Sequence, residues 1–288
     1  MAKAPVIPCP GFVNGIHLLD VLQRLYMRAR AYLNPVRDSE TMFGAVIRCN
    51  ARDFVQRRIQ FFRIFEHDLT YYTLSRLREG DVYVDIGANV GYYTLLASRA
   101  VGPAGKVISV EADPSTFGEL TDNINRNCCE NVMAYNVAAT ATACHVRIER
   151  GDSRNIGSNS VKIAAAGCQG VKGLPFCDIV QDDLSRVRFV KIDIEGSEAP
   201  VLSAILERLH NLSDDLIVAS EVSPTSAGFV SRFVAAGFRA YAIQNIYTID
   251  YYLIRSYLRR FGLENYTHLV PVTEYVQSYS DYIFERCL

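Results

Sequence analysis

The stretch VYVDIGANVGYYT, residues 82–94, constrains this 288-residue chain more than any other. Val82, Val84 and Ile86 alternate with Tyr83 and Asp85, a short β-branched run that reads as a buried strand. Good helix formers with apolar spacing follow from Tyr92 to Arg99, so Gly87 and Gly91 fall at a strand-to-helix turn. Lacking a Cβ, they let the backbone take positive φ or approach a ligand closely. A dinucleotide-binding turn would read G-x-G-x-x-G and admit a pyrophosphate. This one reads D-x-G-x-N-x-G and places the Asp85 carboxylate where a pyrophosphate would be repelled.

A ligand carrying an amine or a sulfonium suits that carboxylate better, and S-adenosylmethionine carries both. A second strand, KVISVEADP at 106–114, ends in Glu111, which can accept hydrogen bonds from both hydroxyls of a ribose. The alternation of strands and helices predicts an α/β fold with a parallel sheet. VRFVKIDIEGSEAPVLSAI (187–205) supplies another buried strand, with Asp193 and Glu195 on one side of its carboxyl end and Glu198 beyond. Ligands bind at that end in open α/β sheets. Two neighbouring carboxylates there can hold a metal, share a proton or take one from a hydroxyl, or can simply serve the N-terminus of the next helix.

The blocks DIGANVGYYT, VEADPSTFGELTDNINRN, NVMAYNVAA and KIDIEGSEAPVL, in this order and spacing, resemble the FkbM-type methyltransferase family over about residues 60–222. The resemblance implies a Rossmann-like class I methyltransferase fold, a seven-stranded mainly parallel sheet with helices on both faces and an antiparallel hairpin at its edge. It implies S-adenosylmethionine-dependent methyl transfer, typically to a hydroxyl of a sugar, polyketide or other natural product. Carried over by position, Asp85, Gly87, Asn89 and Gly91 line the methionyl end, Glu111 holds the ribose and Ala138 completes the cofactor set. Asp193 and Glu195 then face the reacting centre as catalytic candidates. Glu221, ending the next strand (DLIVASEVSP, 215–224), could join Asp193 around a divalent metal, although none is predicted.

Residues 1–60 are read as an N-terminal extension and 61–288 as the methyltransferase domain. Ile16 to Leu33 has helical apolar spacing with Arg24, Arg28 and Arg30, and either lies on a membrane surface or packs on its own domain. Met42–Cys49 and Phe54–Ile59 read as a small hairpin of two strands. A helix opens at Glu66-His67-Asp68, with His67 as a capping or surface residue and Glu66 within possible reach of the ligand pocket. Asp152 and Ser153 are adenine-ligand candidates or an ordinary polar turn. An insertion between two late strands carries Tyr247, Tyr251, Tyr252, Tyr257, Tyr266, Tyr275 and Tyr279 with Arg255, Arg259 and Arg260, which suits sugar stacking and equally a homo-oligomer interface.

A formal net charge of −1 exerts no global pull on nucleic acid. The eight cysteines show no zinc-ligand spacing and no disulfide framework. Neither a signal peptide nor an apolar run of about 18 residues is evident, which predicts a cytoplasmic protein without a membrane span. A nicotinamide-dependent oxidoreductase and a non-catalytic binding or scaffolding protein are the rival readings.

Overall fold

The computed structural model describes residues 21, 25–149, 160–163, 170–194, 196–260, 268–278 and 281–287. Glu195, Asp152, Ser153, Tyr266, Tyr279 and most of the first half of the predicted N-terminal helix therefore lie outside the described residues. In chain order the described elements begin with helix α1 (25–33), a hairpin of β1 (Val36–Glu40) and β2 (Val46–Asn50), then α2 (Phe54–Phe62) and α3 (His67–Arg76). Next come β3 (Val82–Ile86), α4 (Tyr92–Val101), β4 (Lys106–Val110), α5 (Pro114–Arg126), β5 (Val132–Tyr135) and β6 (Ala138–Ala139). After these follow β7 (Cys144–Glu149), β8 (Ser160–Ile163), β9 (Val171–Leu174), α6 (Phe176–Val180), β10 (Val187–Ile192) and α7 (Ala199–Glu207). The chain closes with β11 (Ile217–Glu221), α8 (Gly228–Ala235), β12 (Phe238–Ile243), α9 (Ile249–Arg260), β13 (Leu269–Val272) and β14 (Asp281–Arg286).

Eight strands form the central sheet in the order β13-β12-β14-β11-β10-β3-β4-β5. The run from β11 to β5 is parallel, and β14 is antiparallel to both of its neighbours. The seven expected strands are all present; the eighth, β13, comes from the insertion and pairs antiparallel with β12. A parallel sheet buried on both faces needs apolar residues at odd and even positions alike, and every residue of β3 is buried. Val84 and Ile86 belong to the core under α7 and α8, with Val190, Ile192 and Val218. Tyr83 falls on the opposite face, with Phe189, Ile217 and the α4 residues Leu95 and Leu96. The pleat sends the side chains of Asp85 and Lys191 to this second face, in phase with Tyr83 and Phe189.

Phe54–Ile59 is helix, not strand. Asp53 caps it, its side chain accepting from the Gln56 N–H at 2.8 Å, and Ile59 and Phe62 are buried at helical spacing. The cap and the three-residue spacing outweigh the aromatic and β-branched content that suggests a strand. The hairpin is real but lies earlier, at β1 and β2. It is pinned to α5 by Asn127 and Asn123, whose Oδ1 atoms accept from the Val46 and Arg48 N–H groups at 2.8 and 2.9 Å. Residues 140–176, irregular in sequence, contribute three strands that join β6 in a further sheet, in the order β6-β9-β7-β8. Among the described residues no helix is long and apolar enough to cross a membrane.

Candidate active site

The carboxyl ends of β3, β4, β10 and β11 bring most of the expected residues to one edge of the sheet. Asp85 ends β3 fully buried; its Oδ2 accepts from Thr94 Oγ1 at 2.7 Å, and its Oδ1 has no partner. Burial pushes its carboxyl above the ordinary range, against the pull of Lys191 and Thr94. Gly87 has φ +83°, and a Cβ there would sit 1.9 Å from the Asp193 carbonyl oxygen. Its lack of a side chain thus serves the seam between the β3 and β10 turns, and the Asp193 N–H completes the seam by donating to Ile86 O at 2.9 Å. Gly91, φ +94°, lets α4 start close under Leu120 of α5.

Glu111 is held from two sides, Oε2 accepting from the Asn89 N–H and Oε1 from the Asp113 N–H, both at 2.9 Å. Burial raises its carboxyl to about 7 against the opposing effect of these two N–H groups. Asn89 takes φ +49° to make its contact. Ala138 is buried where β6 pairs with Gly173. It lies two residues past Asn136, whose side-chain amide donates to the Glu111 and Ala112 carbonyls.

On the other side of the edge, Asp193 is partly open and its Oδ2 receives Lys191 Nζ at 3.0 Å. Glu198 turns inward rather than capping α7; its Oε1 accepts from the Gly196 N–H at 2.7 Å. Glu66, which opens α3 at φ +43°, is buried and receives the hydroxyls of Tyr93 at 2.9 Å and Tyr247 at 2.7 Å. Burial, then Asp281 and Asp193, push its carboxyl to about 8. Glu66, Lys191, Asp193, Glu221 and Asp281 line one small hollow. Asp193 and Glu221 are thus neighbours, as the strand ends predict, but among the described residues no three His, Cys, Asp or Glu side chains group as metal ligands. A wider groove of about 800 Å³ lies at the amino ends of β4 and β5, lined by Arg99, Lys106 and Cys128, away from this chemistry.

Two residues escape the sequence reading. Lys191 sits in a run that is read for its apolar residues and its terminal acids, not for its lysine. A lysine in phase with Phe189, two positions before an acid, is the available signal, since a buried cation requires a partner. His67 is not at the surface but buried, its ring 5.6 and 4.6 Å from those of Tyr251 and Tyr252. Those tyrosines lie over 180 residues away in sequence, so no local pattern announces the contact.

The sequence model of the Methyltransferase FkbM domain matches residues 85–262, well over half of the chain. Hexuronic acid methyltransferase AglP of Haloferax volcanii is 24% identical over 149 residues, 51% of this chain and 59% of AglP. Arsenite methyltransferase of Halobacterium salinarum is 36% identical over 58 residues, 20% of this chain and 15% of that protein. The chain therefore spans less than two thirds of either relative. Among solved structures, Methyltransferase FkbM from Methylobacillus flagellatus KT superposes with a TM-score of 0.44 at 13% identity, covering 93% of this chain and 60% of its own. The SAM-dependent O-methyltransferase of Thermotoga maritima gives 0.42 at 15% identity, covering 87% and 77%. With the motifs, the sheet order and the domain match in agreement, this chain is a member of the FkbM methyltransferase family.

Proposed function

We propose that this protein transfers a methyl group from S-adenosylmethionine to a hydroxyl of a sugar, polyketide or related natural product. The observation that carries the reading is the pairing of two acids at adjacent strand ends within the FkbM domain. Glu111 is set by two backbone N–H groups, and Asp85 keeps one buried oxygen without a donor. An orphaned buried acceptor beside a glycine turn fits a ligand with a cationic end, and this disfavours the nicotinamide reading. Asp85, Gly87, Asn89, Gly91, Glu111 and Ala138 would hold the cofactor. When bound, it supplies a methyl group already activated by its sulfonium.

The chain's own work is alignment, exclusion of water and removal of one proton. Asp193, at the open side of the edge, takes the proton from the acceptor hydroxyl oxygen as that oxygen attacks, and Glu195 is the second candidate for this role. General-base assistance of this kind contributes about 10²–10⁴-fold. AglP, named for a hexuronic acid, supports a glycan-like acceptor. The six described cysteines are free thiols, which suits the cytoplasm. The test is Asp193→Asn, assayed with the acceptor that a screen of sugar and polyketide hydroxyls identifies: methyl transfer is lost and S-adenosylhomocysteine binding kept. Normal turnover by that variant would remove Asp193 from the mechanism.

A further inference from the structure

The face of the sheet beneath α3 and α4 carries a charge cluster that the proton-transfer scheme does not use. Lys191 of β10 lies in register with Asp85 of β3, and parallel neighbours in register point the same way. Its Nζ is 3.0 Å from Asp193 Oδ2 and 5.0 Å from the centre of the Tyr93 ring. The residue is only 5% exposed. Tyr93 in turn donates to Glu66, which also receives Tyr247 from the Tyr-rich insertion. The hollow enclosed by Glu66, Lys191, Asp193, Glu221 and Asp281 is about 10 Å³. That is one water at most, so the cluster holds no acceptor. A buried ammonium is costly unless paired, and an apolar side chain would fill the same place in a strand. The charge therefore has work that packing does not explain.

We propose that Lys191 is a positioning residue for methyl transfer, its ammonium tying Asp193 to Asp85 on the cofactor side and to Glu66 on the insertion side. The inference rests on the methyl-transfer reading. Asp193 is 41% exposed on its open side, and Lys191 fixes it from the buried side. The groups facing the ammonium come from every neighbouring element: Asp85 from β3, Tyr93 from α4, Glu66 from α3, Glu221 from β11, Asp281 from β14, with Tyr247 behind Glu66. Burial pulls the ammonium toward neutrality, but Asp193, Asp85 and Glu66 together hold it above its ordinary range. A change at Asp85 when a ligand binds is thereby transmitted to the carboxylate that meets the acceptor.

The test exploits composition: of thirty Lys and Arg residues only five are lysines (3, 106, 162, 172 and 191). A ¹⁵N-lysine sample gives at most five side-chain ammonium signals, and Lys191→Arg assigns the one that disappears. The Lys191 signal is expected to persist at pH 7.5, to move on saturation with S-adenosylhomocysteine while the others stay, and to exchange at least tenfold faster in Asp193→Asn. Its position is also expected to shift between pH 6.5 and 8 as Glu66, raised to about 8, begins to ionise, and Glu66→Gln to remove that shift. A residue that only fills space would not respond to the ligand. A Lys191 signal unmoved by saturating ligand, unchanged in Asp193→Asn, or shifting with pH as before in Glu66→Gln, overturns the proposal. If calorimetry shows no binding of S-adenosylhomocysteine, the methyl-transfer reading fails by itself, and the Asp193→Asn and Glu66→Gln spectra still decide whether Lys191 links those acids.

Discussion

The side of the edge proposed to hold the cofactor is assembled from near neighbours, Glu111 reaching back 22 residues to the Asn89 N–H, whereas Tyr247 reaches Glu66 across 181. The first is a turn between a strand and a helix, braced by backbone N–H groups. The second is a side-chain network drawn from the start of α3, from α4, β10, β11 and β14, and from the insertion. The contrast matters because local turns are specified by residue type at fixed spacing, while a network depends on the whole fold being in place.

The strongest way to break this division is to strike the seam where the halves meet. Gly87→Ala forces a Cβ into the Asp193 carbonyl at positive φ. Left-handed strain and backbone overpacking together predict a loss of roughly 3 kcal/mol or more, with cofactor binding lost as well. An unchanged urea midpoint would show the seam to be slack. Next, Asp68 pairs with Arg255 at 3.1 Å, the two side chains only 3% and 7% exposed, and also receives the Tyr251 hydroxyl. Asp68→Ala strands a buried guanidinium and is expected to cost roughly 3–5 kcal/mol, yet to leave the cofactor affinity of the folded protein within about twofold. A large loss of affinity would mean that the halves are one unit.

The pH dependence separates them further. Glu111, raised to about 7, must ionise to accept two ribose hydroxyls. S-adenosylhomocysteine should therefore bind more weakly as pH falls below 7, by up to about tenfold per pH step, and Glu111→Gln should flatten that profile. Folding shows the opposite sign. Acids raised by burial favour the folded state while protonated, so their contribution is complete below about 4.5 and lost as pH rises through about 7 for Glu111 and about 8 for Glu66. Glu66→Gln should flatten the upper part of the stability profile without touching the pH dependence of binding. The mildest change is Tyr247→Phe, which removes one hydroxyl donor to Glu66. It should cost about 0.5–1.5 kcal/mol in stability with cofactor affinity unchanged.

How much of this was legible in sequence follows the same division. Val82 to Gly91 shows its period, its acid and its glycines within ten residues, so strand, turn and helix could all be placed there. The place of Asp193 at a strand end was legible because a strand run closing on acids is a local pattern. The misreading of Phe54–Ile59 came from weighing aromatic content above the Asp53 cap. Strand β13 depends on β12 offering a free edge, which no local pattern in 269–272 reveals. For Glu66 the sequence leaves reach to the pocket open, and its buried position is fixed by Tyr93 and Tyr247. Lys191 is identified only once Asp193 and Asp85 are seen beside it. Burial and charge pairing across distant segments are properties of the fold, and the sequence records them only as isolated residues of an unexpected type.

The central claim is that the edge formed by Asp85, the Gly87–Gly91 turn and Glu111 is an S-adenosylmethionine site. Calorimetric titration of the purified protein with S-adenosylhomocysteine, at pH 6 and pH 8, tests it most directly. Saturable binding at one site per chain, tighter at pH 8 and weakened by Glu111→Gln, is the predicted result. No heat of binding and no thermal shift at millimolar ligand would contradict the account.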